Sequence, residues 1–179
     1  MIAIRGMQAL RRLLVAFALA LAASTAPAES IYLEPAEFVA AAFAGAAPQV
    51  RVLWLTPDIR AEATHILGHE PAQLRQKYWT DGRKTAWILE EIGKEDAITA
   101  GFVVNDGRIE LARVLIFRES RGGEIRYPSF VAQFRGAALA ADGRLNREID
   151  GIAGATLSVN AMLRMSRAAL YFARTAASK

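Results

Sequence analysis

The stretch Ile98-Thr-Ala-Gly-Phe-Val-Val104, Asn105-Asp106-Gly107, Arg108-Ile-Glu-Leu-Ala-Arg-Val-Leu-Ile-Phe117 contains two apolar runs joined by a turn sequence. Asparagine, aspartate and glycine tolerate the left-handed backbone of tight hairpin turns, so the stretch predicts a β-hairpin. Charged and apolar residues alternate in its second strand, although the phase changes near Ala112, where we expect a bulge. The residues expected to face the core are Ile109, Leu111, Val114 and Ile116.

A second hairpin and several helices surround this one in the predicted fold. Segments 78–80 and 84–89 resemble strands, and Asp81-Gly82 between them favours a turn. The other predicted elements are a helix over 35–43 closed by Gly45, a strand over 49–55, a helix from Thr56-Pro57-Asp58 to Gly68, a helix over 127–134, a short strand over 145–149 and a last helix over 158–173. The pattern predicts an α+β fold, with an antiparallel sheet of hairpins packed against helices, in one domain spanning 29–179.

The first 28 residues are typical of an export signal. Three arginines, at 5, 11 and 12, precede an apolar run over 13–23, and Ala26-Pro27-Ala28 has the small-x-small pattern of a cleavage site. The run is shorter than the roughly 20 residues of a membrane-spanning helix, so we expect cleavage after Ala28 and a periplasmic or exported protein. An uncleaved membrane anchor is the alternative.

Charge and cysteine content exclude several function classes. The chain has 22 Lys and Arg against 18 Asp and Glu, but segment 1–28 holds three of the basic residues and no acidic one. The near-neutral remainder gives no support for nucleic-acid binding. The absence of cysteine excludes Cys-ligated iron–sulfur clusters and thioether-linked haem. A redox role would therefore need an organic or His-ligated carrier.

The second informative stretch is Asp150-Gly151-Ile152-Ala153-Gly154-Ala155-Thr156-Leu157-Ser158. Its small residues allow close approach to the backbone, and an amphipathic helical pattern follows at once. A helix that starts at Leu157 or Ser158 would direct its free N–H groups at this stretch, which favours a bound phosphate beside the Thr156 hydroxyl. The simpler alternative is that Thr156 or Ser158 is only a helix N-cap.

Asp-Gly-x-x-Gly-Ala-Thr-x-Ser resembles the flavinylation motif of the FMN-binding domain family. Members occur in the sodium-translocating NADH:quinone oxidoreductase, in the Rnf electron-transport complex and as smaller exported flavoproteins. The resemblance implies FMN joined through its phosphate to Thr156 by a dedicated flavin transferase. Ala153 departs from the usual Ser or Thr of the motif.

The resemblance extends over about 98–170. A strand ending in Glu119, a glycine-containing loop over 120–123, a Phe-x-Gly segment ending at Gly136 and the pair Ile149-Asp150 match the family's order of features. The usual Thr-Pro-Gly-Leu-Gly loop is reduced to Ser-Arg-Gly-Gly. The cofactor-binding residues that the resemblance implies are Glu119, Ser120, Gly122, Gly123, Asp150, Gly151, Gly154, Ala155, Thr156, Leu157 and Ser158.

Other side chains are open to more than one interpretation. His65 and His69 have the spacing of metal ligands on a helix, but Gly68 between them favours solvated histidines. Among Trp54, Trp79, Trp87 and Tyr127 we expect three structural residues and one that could stack on a flavin. Arg121, Arg126 and Arg135 could pair with a phosphate or an acidic partner, or lie on a solvated face.

The sequence therefore predicts an exported flavoprotein that carries electrons for a membrane-bound redox partner, without a catalytic site of its own. Motifs of hydrolytic catalysis are absent from the sequence. Two alternatives remain open: a non-redox accessory protein of the same fold, and an uncleaved membrane-anchored subunit of an electron-transport complex.

Overall fold

A computed structural model describes residues 29–44 and 46–178, so the predicted signal segment 1–28 and the predicted helix-closing Gly45 lie outside the described residues. Six strands form one antiparallel sheet in the order β1-β6-β5-β4-β3-β2. The strands are β1 (Ser30–Ile31), β2 (Gln49–Trp54), β3 (Arg75–Thr80), β4 (Lys84–Ile92), β5 (Ala97–Asn105) and β6 (Arg108–Phe117). The helices are α1 (Pro35–Phe43), α2 (Pro57–Leu67), α3 (Pro128–Val131) and α4 (Thr156–Ala177), with 3₁₀ turns at Gly123–Arg126 and Ala132–Phe134.

The α+β prediction and both predicted hairpins are confirmed. β5 and β6 are joined through Asp106 and Gly107, which have φ of 48° and 67°, the left-handed backbone that the turn sequence favours. The predicted helix over 127–134 is a single α-turn, α3, followed by a 3₁₀ turn. The last helix is longer than predicted and begins at Thr156.

The two faces of the sheet carry separate apolar clusters. α2 and α4 pack on one face with the larger cluster, whose buried rings include Trp87, Phe102 and Phe134. α1 covers the other face through Phe38 and its neighbours. Because both faces are covered, the expectation of a single inward face on β6 was wrong: Leu115 is fully buried on the α1 face, whereas Ile109 is buried on the α4 face.

The register of β5 with β6 is interrupted twice, once at Glu110, close to the bulge expected near Ala112, and once at Leu115. Thr99 pairs with Ile116 and Ala100 with Val114, which leaves Leu115 as an extra residue. A second shift lies between Val103 and Val104 on β5 and leaves Glu110 extra. Each bulge shifts the alternation by one residue, so Ile109 packs in the larger cluster whereas Leu111, two residues later, packs against the cluster on the α1 face.

The predicted strand over 145–149 was wrong. The segment forms one isolated bridge, Leu139 with Leu145, and its other backbone partners are local. Ala138 exchanges two hydrogen bonds with Asn146, and the Asp150 N–H donates to the side chain of Gln133. Beyond β5, the partners of β6 are β1 at Ile116 and Phe117 and the segment around Ala138 at Arg108, and segment 145–149 does not reach it.

A buried carboxylate ties α4 to the sheet. Glu91, whose side chain is 2% exposed, accepts from Arg164 Nη2 on α4 at 3.2 Å and contacts His69 Nε2 at 3.0 Å. Hydrogen bonds to Glu70 O and Glu91 raise the pKa of His69. Its side chain is 54% exposed, as expected for a solvated histidine, although Nε2 contacts Glu91. His65 is exposed on α2.

Gly101 on β5 lies directly beneath the Phe38 ring. A Cβ there would lie 2.5 Å from Phe38 Cε1, so we expect Gly101→Ala to destabilise the fold by about 1–3 kcal/mol through overpacking. Replacing the Phe38 ring by the smaller leucine side chain should relieve the clash. The double variant Gly101→Ala, Phe38→Leu should therefore lose less free energy of unfolding than the two single variants lose together. Urea unfolding of the four chains measures this coupling, and simple additivity would contradict the contact.

Candidate functional site

The flavin-like motif forms the entry to α4. Gly154 has a φ of 81°, which glycine adopts without strain, and Thr156 is the first helical residue. The first intrahelical bond runs from the Val159 N–H to Ala155 O at 2.9 Å. The N-cap is Ala155, which has no side-chain acceptor, so the expectation that Thr156 or Ser158 caps the helix was wrong. The N–H groups of the first turn are therefore left for another acceptor.

The loop over 119–123 packs against this helix end. Gly122 has a φ of 87°, and a Cβ there would lie 2.5 Å from Ser158 Oγ and 3.5 Å from Ala155 Cβ. Ser158 is itself 4% exposed, so the contact is buried. Position 122 thus requires glycine both for its backbone conformation and for the space it leaves to α4.

Glu119 holds the base of the same loop. Its Oε1 accepts the N–H groups of Lys94, Glu95 and Asp96, with the last two at 2.7 and 3.0 Å. Partial burial raises the pKa of Glu119, but these three N–H groups and the Lys94 charge lower it by more, so the net shift is downward. Glu119 therefore fastens the β4–β5 turn to the end of β6, a role that the sequence did not suggest.

We expect Glu119→Gln to destabilise the protein at neutral pH by about 1–3 kcal/mol, because a neutral amide is a weaker acceptor for three N–H groups. A lowered folded-state pKa stabilises the fold above the ordinary glutamate value, and this stabilisation is lost as the pH falls through the folded value. The difference between the two chains should therefore narrow below about pH 4. Unfolding curves at pH 7 and pH 3.5 measure it, and a difference that does not depend on pH would rule out the charge as the cause.

A groove of about 740 Å³, called the loop groove below, opens beside this contact. Its rim includes Tyr32, Arg126 and Tyr127: the Arg126 guanidinium lies 4.7 Å from the Tyr32 ring centroid and 5.1 Å from that of Tyr127. Arg126 Nη1 also donates to Tyr32 Oη at 3.1 Å. The groove thus combines exposed aromatic rings with a fixed positive charge.

A second groove of about 840 Å³, called the arginine groove below, lies on the other side of the motif. Burial first, and then the nearby charges of Arg164 and Arg144, lower the pKa of Arg167 in its wall. Thr156 has the same helical spacing as Asn160 and Leu163, which line this groove, so its exposed side chain shares their face of α4. The arginines that line it are Arg144, Arg147, Arg164 and Arg167.

The structure distributes the predicted cofactor-binding residues over both grooves. Those that line the loop groove are Glu119, Ser120, Gly122, Gly123 and Gly154. Asp150 and Gly151 line the arginine groove. Ala155 and Ser158 are buried where Gly122 meets α4, and Thr156 and Leu157 are exposed at the helix start, where they are not among the residues that line either groove.

Sequence reasoning missed the part of the loop groove that comes from the N-terminal segment. Tyr32 reaches the groove because β1 pairs with the far end of β6, and no local pattern around it indicates this. The expectation of three structural aromatic residues was also wrong. Trp87 is fully buried and Trp79 partly, but Tyr127 is 47% exposed at the loop groove and Trp54 is 60% exposed on β2.

Comparison with known protein families gives one match that covers the candidate site. The family model described as FMN-binding domain matches residues 93–171. Over this span the chain is similar to the FMN-binding domain family. The matched span runs from the β4–β5 turn to the middle of α4 and so includes the loop 119–123 and the motif 150–158. Neither the curated proteins nor the solved structures gave a significant match.

The match to the FMN-binding domain family supports FMN as the cofactor, and features of the candidate site fit FMN. The loop groove has the size of small-ligand sites, which are about 300–1,000 Å³. The uncapped first turn of α4 offers N–H donors suited to a phosphate. A Cβ on Gly154 would meet no heavy atom within 4 Å, so the approach to these donors is open.

Proposed function

We propose that the protein is an exported electron carrier whose FMN is joined through its phosphate to the Thr156 hydroxyl. The observation that carries the proposal is the position of Thr156, exposed as the first residue of a 22-residue helix without a side-chain cap, inside an FMN-binding domain. A flavin transferase needs such an exposed hydroxyl. The same exposure leaves the phosphate within reach of the helix N–H groups.

The attachment replaces the Thr156 O–H bond by a bond from Oγ1 to phosphorus. A flavin nucleotide whose phosphate carries a leaving group is the co-substrate of the transferase: the threonine proton and the leaving group depart, and no electrons are transferred. The product is a phosphodiester with one negative charge, which the free N–H groups at the start of α4 stabilise.

FMN, when bound, supplies reversible transfer of one or two electrons. The residues of the chain position it. Glu119 holds the base of the loop through its hydrogen bonds to the β4–β5 turn, and Gly122 allows the loop to pack closely against α4. Arg126 places a positive charge at the rim of the loop groove, where it favours an electron-rich ligand. The groove opens to solvent on the side of Tyr127, as an exchange of electrons with a partner requires.

A membrane-bound redox partner and an exported location follow from the same proposal. In the described part of the chain, no helix is both long and apolar enough to cross a bilayer. N-terminal sequencing of the protein purified from its natural host distinguishes the alternatives: a start at Glu29 supports export with cleavage, and a retained segment 1–28 supports the anchored subunit.

The flavin-loaded protein should take up two electrons per chain from dithionite and return them to an external acceptor without consuming a small substrate. Anaerobic titration followed by absorbance at 450 nm measures this. A loaded protein that cannot be reduced and reoxidised would contradict the carrier role. It would then favour the accessory protein, the alternative that Ala153 supports because it replaces the hydroxyl residue usual in the family's motif.

A further inference from the structure

An exposed apolar stripe runs along β2, far from the flavin motif. Val50, Val52 and Trp54 are 59%, 44% and 60% exposed, and their alternate positions place all three on one face of the strand. Leu53 between them points to the other face, where it is 3% exposed in the larger core. Three large apolar side chains at alternate positions form a continuous surface, which marks an interaction site.

The stripe lies on an edge of the sheet. All six residues of β2 pair with β3, and on its other side β2 has no strand partner among the described residues. Alternate backbone N–H and C=O groups therefore point away from the sheet. Proteins protect such edges with proline, lysine, bulges or very short strands. β2 has none of these and carries a single charge, Arg51.

The neighbouring strand extends the stripe with aromatic and basic side chains. In the register of β2 with β3, Val50 pairs with Trp79, Val52 with Lys77 and Trp54 with Arg75. Lys77 Nζ lies 4.9 Å from the Trp79 ring centroid on the same face. These six residues include no carboxylate. A bilayer could bury the side chains, but it could not satisfy the edge N–H and C=O groups, whereas another strand could do both.

We propose that β2 pairs antiparallel with β2 of a second copy of this chain, about a twofold axis through Val52, so that two sheets become one. Directly opposed residues in an antiparallel pair share a face, and the twofold axis keeps each face on its own side. Val52 then opposes Val52 of the second copy, and Val50 opposes Trp54 of the second copy. Apolar pairs of this kind stabilise a sheet.

The neighbouring registers fit less well. An axis through Arg51 would oppose the two Arg51 side chains and leave Trp54 without an apolar partner. An axis through Leu53 would leave Val50 outside the paired stripe. Of the three registers, only the one centred on Val52 pairs every exposed residue of the stripe with another. It also places Arg51 opposite Leu53 of the second copy, so that no like charges are directly opposed.

The pairing leaves the flavin site free. The loop groove lies beside β1 and β6, at the opposite edge of the sheet from β2. A pair joined through β2 would therefore carry its two loop grooves at the outer ends of the joined sheet. The inference is independent of the flavin proposal, because it depends on the exposure and register of β2 alone.

Cysteine cross-linking tests the register, since the chain contains no cysteine. Val52→Cys should give a disulfide-linked pair under mild oxidation of dilute full-length protein, because the two introduced thiols face each other across the axis. Arg51→Cys is the matched control: it is exposed and adjacent, but it faces Leu53 of the second copy and should give no disulfide-linked pair. Trp54→Glu added to Val52→Cys should abolish the cross-link while circular dichroism shows an unchanged fold.

Sedimentation equilibrium of the wild-type protein completes the test, with a reversible monomer–dimer equilibrium expected and Val52→Glu expected to be monomeric. Equal cross-linking of Val52→Cys and Arg51→Cys would overturn the register. A wild-type protein that stays monomeric at its highest soluble concentration would overturn the pairing. Binding of that monomer to phosphatidylglycerol vesicles would instead assign the stripe to a membrane surface.

Discussion

Thr156→Ala should abolish covalent flavin completely. Co-expressed with a flavin transferase, the wild-type chain should keep yellow colour and flavin fluorescence after denaturation, because a phosphoester survives unfolding. The variant has no hydroxyl at position 156 and should release all of its flavin. We expect no loss of fold, since the Thr156 side chain is exposed and caps no N–H group of α4. Fluorescence of the band on a denaturing gel, compared with protein stain, measures the effect.

Ser120→Ala is the matched control for Thr156→Ala. Ser120 is the other exposed hydroxyl residue of the predicted site, in the wall of the loop groove. Its replacement should leave the covalent flavin in place, and Thr156→Ser should retain part of it, because serine offers the same nucleophile. A fluorescent band that persists in Thr156→Ala and disappears in Ser120→Ala would move the attachment site to the loop.

Among substitutions that add one methyl group in the site, Gly122→Ala should cause the largest loss of stability. The added Cβ would lie 2.5 Å from Ser158 Oγ, at a residue whose φ is 87°. Left-handed backbone costs a non-glycine residue about 1–2 kcal/mol, and overpacking adds about 1–3 kcal/mol. We therefore expect a loss of about 2–5 kcal/mol in the free energy of unfolding. Because either the buried Ser158 hydroxyl or the loop must shift, we also expect flavin incorporation to fall.

Gly143→Ala separates the two causes. Gly143 has a φ of 78°, so the backbone penalty is similar, but a Cβ there would meet no heavy atom within 4 Å. It should cost about 1–2 kcal/mol and leave flavin incorporation unchanged. Urea unfolding and the flavin-to-protein ratio compare the two variants. Equal losses in both would show that the contact between Gly122 and Ser158 does not hold the site.

The sequence predicts the local elements of this protein well. Asp106-Gly107 and the apolar runs beside it specify the hairpin of β5 and β6, because turn chemistry and alternation act over a few residues. The start of α2 at Pro57 and its end at Gly68 follow from the same kind of local signal. The motif before α4 likewise locates the site through a short run of small residues.

The errors arise where distant segments decide the outcome. The pattern within β6 indicates one change of phase near Ala112 but not the two bulges at Glu110 and Leu115, because these depend on the pairing with β5 and on helices that cover both sheet faces. Segment 145–149 lacks strand structure because its one bridge, from Leu145, goes to Leu139 and not to the sheet. The contact of Gly122 with Ser158 and the arrival of Tyr32 at the loop groove join parts of the chain far apart in sequence.

The measurement that tests the central claim most directly is the intact mass of the full-length wild-type protein after co-expression with a flavin transferase, followed by peptide mapping. The account predicts an added mass of one FMN less water, about 438 Da, on the peptide that contains Thr156. A chain of unmodified mass, or the added mass on a peptide without Thr156, would contradict it. If the unmodified protein binds free FMN, the result would support a flavin-binding domain and contradict the covalent bond.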